Sequence, residues 1–191
     1  MSLMAEVVVE EWLNRHGYFT IRGVKIGSDE MDLLAVRPGA AGIMEYRHIE
    51  VQASVRPVSY ITRVPKQVQK ETGKTANSAA RSESELRQSV IEWVDKKYRR
   101  DKKVQLIRSL GASNWTCELV VNRVKSEDEV NLIQSHGIKI LRLGQIVHEL
   151  RSNDTIIKAA SGSDLLELMH LASPGDRSAS SQELTALVSL D

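Results

Sequence analysis

The chain has 191 residues, a formal net charge of +1, 41% hydrophobic residues and only 4% aromatic ones. That length and apolar share fit one ordinary domain with a tail, its core built mainly of Val, Leu, Ile and Ala. A lone cysteine, Cys117, excludes an internal disulfide framework and a Cys-rich zinc site, and with no apolar run of membrane-spanning length and no signal-peptide pattern, a cytoplasmic protein without membrane contact is expected.

Residues 4–16 read as a helix, with Val8, Val9, Trp12 and Leu13 on one stripe at helical spacing. Gly17 is its C-cap candidate, and Arg15 supplies a cation to the last turn. Residues 19–26 read as a strand, residues 27–30 as a turn, and residues 31–36 as a short apolar strand interrupted by one acid, Asp32. Residues 37–42 form a turn or loop. A longer strand is expected over 43–55, where Ile49, Val51, Ala53 and Val55 alternate with Glu50, Gln52 and Ser54.

Residues 57–80 are polar and basic and read as a loop with short helical pieces. Residues 84–98 read as a helix that sets Leu86, Val90, Ile91 and Val94 on one side. Strand, helix and strand follow over 115–122, 126–137 and 138–143, which suggests a parallel βαβ unit. Ser126 and Glu129 have capping-box spacing. A last helix is expected over 145–150. The domain is therefore placed at 4–152. The tail, 153–191, is read as helical or partly disordered, with candidates at 164–171 and 182–190.

Charge is distributed unevenly. Residues 56–110 hold 14 Lys/Arg against 6 Asp/Glu, and the rest of the chain holds 12 against 19. This basic insertion, at about 57–110, is either a solvated helix face or an anion-binding surface. Within it Lys96, Lys97, Arg99, Arg100, Lys102 and Lys103 are the candidates for holding nucleic-acid phosphates. Gly73-Lys74-Thr75 resembles the end of a P-loop, but Val68 stands where that motif requires Gly, so a nucleotide loop is rejected. The five histidines show no short metal-ligand pair, although His48 lies on the strand face of Glu50.

An unpaired carboxylate inside an apolar strand is costly, so Asp32 needs a partner or a function. Asp32 followed by Ile49-Glu50-Val51-Gln52, after a helix that begins at Ala5-Glu6, resembles the PD-(D/E)XK nuclease superfamily. The pattern is most similar to Holliday-junction resolvases and the Mrr-like branch. The resemblance covers residues 5–55 strongly and 115–150 weakly. It implies an α/β restriction endonuclease-like fold, a mixed central sheet flanked by helices, and Mg²⁺- or Mn²⁺-dependent hydrolysis of DNA. It implies metal ligation by Asp32, Glu50 and the backbone carbonyl of Val51, water orientation by Gln52, and support from Glu6.

Where the signature carries Lys this chain has Gln52, which can orient water by hydrogen bonding but brings no charge. Taken singly, Glu50 and Gln52 read more readily as the solvent face of a strand, and Glu6 can be an ordinary first-turn acid. Two other readings stand beside the nuclease: a nuclease-derived module that binds nucleic acid or protein without cutting, and an interaction protein that forms a homodimer through its tail.

Overall fold

The structure is a computed structural model that describes residues 2–54, 57–111, 114–152 and 155–158. Both tail helices expected from the sequence lie outside the described residues.

Helix α1 (Ser2–Arg15) forms around the expected stripe. Val8, Val9, Trp12 and Leu13 are all buried, as is Glu6 beside them. It ends where Gly17 takes φ +79°, which lets the amides of Gly17 and Tyr18 bond back to the carbonyls of Asn14 and Leu13 at 3.0 Å. Only glycine adopts that conformation without strain.

The chain then enters β1 (Phe19–Ile26), turns at Gly27-Ser28, and returns antiparallel in β2 (Asp29–Pro38). A 3₁₀ turn over Ala40–Gly42 leads into β3 (Met44–Gln52), also antiparallel to β2. The long basic segment crosses over from β3 to β4 (Thr116–Val121), which runs parallel to β3. It carries α2 (Lys66–Thr72), α3 (Glu83–Val94), a π-helical turn (Asp95–Arg99) and α4 (Asp101–Ser109). Then α5 (Glu127–Ser135) connects β4 to parallel β5 (Lys139–Arg142), completing the expected βαβ unit, and α6 (Leu143–Arg151) follows. The result is a mixed five-stranded sheet in the order β1-β2-β3-β4-β5 with flanking helices, an α/β fold as expected.

The two sheet faces bury separate apolar clusters. On one, Leu33, Ala35, Ile49, Val51 and Val120 pack under α1 and α6. On the other, Leu119 and Val121 meet Val90, Val94 and Tyr98 around the end of α3 and Ile133 from α5. Alternation along β3 therefore sends Ile49 and Val51 to the first face and His48, Glu50 and Gln52 to the second. No helix among the described residues is long and apolar enough to cross a membrane.

Capping differs from expectation in an instructive way. Ser126 caps α5 by accepting from the Glu129 amide at 3.2 Å, but the Glu129 carboxylate does not turn back to complete a box. It is fully buried and accepts from the amides of Ile61 and Thr62 and from the Thr62 hydroxyl at 2.6–2.9 Å. Three strong donors outbid one cap amide, and the crossover loop is thereby pinned to α5. The complete box belongs to Ser82 and Glu85 at the start of α3.

Candidate active site

Asp32 sits where both of its strand ladders are interrupted. The β1–β2 pairing runs through Arg22 with Leu33 and resumes at Val24 with Met31, skipping Gly23 and Asp32. The β2–β3 pairing stops at Leu33 with Ile49, one step short of Asp32 and Glu50. Gly23 has φ +67°, and the only heavy atom within 4 Å of where its Cβ would lie is Glu30 Oε1 at 3.6 Å. The cost of a side chain there is conformational rather than steric. Gly23→Ala should therefore lose about 1–2 kcal/mol of stability in urea denaturation. Gly144→Ala, in the first turn of α6 at ordinary φ with nothing nearby, should be neutral or stabilising.

Freed from its ladder partner, the Asp32 carboxylate accepts a hydrogen bond from the Val51 amide at 2.7 Å. The amide and carbonyl of one strand residue point to the same flank, so the Val51 carbonyl also faces the Asp32 side. Glu50, across from Asp32, is fully buried and has three partners. His48 Nε2 lies 3.1 Å from Oε1, Lys103 Nζ 3.2 Å from Oε1, and Lys97 Nζ 2.5 Å from Oε2. With Glu50 as acceptor, the His48 proton belongs on Nε2, leaving Nδ1 as a buried acceptor without a partner among the described residues.

The two lysines are built in differently. Lys97 projects from the π-helical turn, a distortion that resets the helical register between α3 and α4. Lys103, in the first turn of α4, is 2% exposed, and its ammonium also donates to the carbonyls of Glu30 and Lys97 at 2.6 and 2.9 Å. It thus ties the turn to β2 and to Glu50 at once.

These contacts separate the two carboxylates. Burial, then the Glu50 charge, drives Asp32 up to about 7, and Glu6 adds to the rise. The opposing pull of Lys97 and the Val51 amide is smaller. Burial also pushes Glu50 upward, but the His48 hydrogen bond and the charges of Lys97 and Lys103 outweigh it and hold Glu50 below its ordinary value. Burial works against the Lys97 charge, yet Glu50 and Asp32 hold its ammonium above the usual range. Asp32 is therefore the acid of this cluster that stands short of positive charge.

Glu6, Asp32, Glu50 and Lys97 thus share one electrostatic field at the rim of the sheet. Gln52 follows Glu50 on the same strand face, is exposed, and makes no hydrogen bond to Asp32 or Glu50. Among the described residues no three His, Cys, Asp or Glu side chains form a ready cage for a metal ion. The donors present are two carboxylates and a carbonyl, all hard oxygens. That set fits Mg²⁺ or Mn²⁺ rather than zinc, because Mg²⁺ keeps several waters and needs only one or two carboxylates.

The expected phosphate-binding run divides. Lys97 and Lys103, expected among the phosphate-binding cations, instead face inward onto Glu50. A run of six cations carries no periodic signal that would mark two of them as buried. Lys96 and Lys102 are exposed, Arg99 bonds Asp95 and the His136 carbonyl, and Arg100 pairs with Asp29 at 2.5 Å. A cleft of about 750 Å³ holds none of the candidate residues. It lies at the opposite end of β3, over the buried Arg47–Glu118 ion pair.

No family model matches this chain, and no curated protein matches it. Among solved structures it is similar to one described as a protein of unknown function, AF1548, at 17% identity and a TM-score of 0.39. The match covers 73% of this chain and spans just over half, 56%, of that one.

Proposed function

We propose that this chain hydrolyses phosphodiester bonds in DNA with a divalent cation held between Asp32 and Glu50. The observation that carries the reading is the pairing of these two carboxylates at a break in the sheet, one charge-deficient and the other clasped by two lysines. In this reading Asp32, Glu50 and the Val51 carbonyl hold Mg²⁺, and Glu6 supports the field from α1. When bound, the cation supplies Lewis acidity and a hydroxide near neutral pH. Gln52 orients the attacking water. Lys97 supplies, from a different element, the positive charge that Gln52 lacks.

The basic run lies beside this site. Arg100 meets Asp29, three residues before Asp32, and the Lys102 ammonium lies 3.8 Å from where a Cβ on Gly27 would sit. Arg100 and Lys102 then line a track for the phosphate backbone along the β1–β2 hairpin, and exposed Lys96 adds to the charge of the run.

The test is cleavage of linear, nicked, branched and single-stranded DNA with Mg²⁺ and with Mn²⁺. Gln52→Ala should slow cleavage by no more than about tenfold, because orientation alone is lost, whereas Lys97→Ala should slow it by about 100-fold. Equal effects would remove Lys97 from the reaction. The exposed Gln52 side chain, with no hydrogen bond among the described residues, favours a second reading, a nucleic-acid-binding module that no longer cuts. Absence of metal-dependent cleavage on every DNA form, with salt-sensitive DNA binding retained, selects it.

A further inference from the structure

We infer that the Lys97 ammonium is the resident counter-ion of the metal-free centre, and that a divalent cation entering between Asp32 and Glu50 displaces it while Lys103 stays in place. The inference rests on the metal site of the preceding reading and adds how that site is switched.

The two oxygens of Glu50 are unequally committed. Oε1 is shared by His48 at 3.1 Å and Lys103 at 3.2 Å, whereas Oε2 is held by Lys97 alone among the described residues. The oxygen open to exchange is therefore the one under Lys97. Glu50 already has two ammonium groups in contact with it, and its charge acts on Asp32 across the strand pair. A dication added to that set would sit against a lysine at unfavourable like-charge distance in a poorly screened pocket, so one cation must leave.

Geometry decides which. Lys103 uses all three of its N–H groups, on the Glu30 carbonyl, the Lys97 carbonyl and Glu50, and its side chain is 2% exposed. Lys97 makes one ion pair, and its side chain is 21% exposed. Because Lys103 grips the Lys97 carbonyl, the backbone of the π-helical turn is held while the Lys97 side chain is free to swing on its four-carbon stem. Glu30, exposed on β2, is close enough for its charge to act on Lys97 and offers the released ammonium a second partner. Loading the metal thus converts Lys97 from an internal counter-ion into a cation at the mouth of the site. The charge needed by a phosphate is delivered only when the metal is present.

The test uses the intact protein and Mn²⁺. Reductive methylation with formaldehyde and cyanoborohydride, read residue by residue by mass spectrometry, reports which amines are reached by solvent-borne reagent. Saturating Mn²⁺ should raise methylation of Lys97 several-fold, leave Lys103 unmodified and leave exposed Lys102 unchanged. In Asp32→Asn the Mn²⁺-dependent rise should vanish. By calorimetry Lys97→Gln should bind Mn²⁺ about tenfold more tightly than wild type, equal to about 1.4 kcal/mol, because the competing charge is gone. Mn²⁺ uptake with unchanged Lys97 methylation overturns the displacement and leaves the metal centre standing. Equal affinity of wild type and Lys97→Gln does the same. No Mn²⁺ uptake by either protein overturns the displacement and the metal centre together.

Discussion

Asp32→Asn should abolish Mn²⁺ uptake and metal-dependent cleavage while making the metal-free protein more stable above neutral pH. Asn retains an oxygen that can accept from the Val51 amide, so the local backbone has no reason to move. What it removes is a buried negative charge. The folded pKa of Asp32, about 7, lies above its ordinary value of 3.8. The fold therefore prefers the protonated acid. That contribution to stability is complete below the unfolded pKa and is lost as pH rises through about 7. Wild type and Asp32→Asn should have similar stability near pH 4 and diverge between roughly pH 4 and 8, with the variant ahead by about 2–4 kcal/mol at the alkaline end. Urea denaturation at the two pH extremes measures this. Added Mn²⁺ should then stabilise wild type at pH 8 and leave the variant unchanged, because a ligand stabilises only the state that binds it. Equal stability of the two proteins across the pH range would show that Asp32 is an ordinary solvated acid.

Glu50→Ala should have the opposite effect and a larger one. Glu50 is fully buried and is the ion-pair partner of both Lys97 and Lys103. Its removal leaves Lys103, itself 2% exposed, with only carbonyl acceptors for its charge. Breaking a buried pair from one side costs about 3–5 kcal/mol, a large part of the stability of an ordinary domain. Denaturant titration should show that loss at neutral pH. Glu50→Gln, which keeps the shape and one acceptor oxygen, should lie between wild type and Ala. A loss below about 1 kcal/mol for Glu50→Ala would show that the lysines find other partners at little cost. The two variants also separate chemistry from folding. An inactive Glu50→Ala reports mostly on the fold, whereas an inactive but stabilised Asp32→Asn reports on the site.

Much of this was legible in the residues themselves. The stripe of α1, its glycine C-cap, the hairpin of β1 and β2, and the βαβ unit from β4 to β5 follow from periods of 3.6 and 2 and from turn chemistry. Those signals are local and survive without knowledge of the rest of the chain. The same local logic singled out Asp32, an acid in an apolar strand, and Glu50 with Gln52, two polar residues on one face. The half-made capping box at Ser126 shows the limit of that logic. The Ser-x-x-Glu spacing is right, but Glu129 is claimed by Ile61 and Thr62, which lie more than 60 residues away in the chain.

Lys97 and Lys103 mark the wider boundary. In sequence they are two cations among six, indistinguishable from Lys96 and Lys102. Only the path of the crossover, with its π-helical turn and the start of α4, brings them onto a carboxylate 47 and 53 residues back. Gly23 is similar: its place opposite Asp32 is set by the register of β1 on β2, which a single strand does not encode. By itself the sequence determined the strands, the α1 stripe, the βαβ unit and where an acid is out of place, but it did not mark α4 (Asp101–Ser109), and it set Ile91 on the apolar side of α3, where the structure leaves it exposed. The tertiary structure decided which charges meet, because desolvation and ion pairing depend on distance in space, and side-chain periodicity carries no information about distance between elements far apart in the chain.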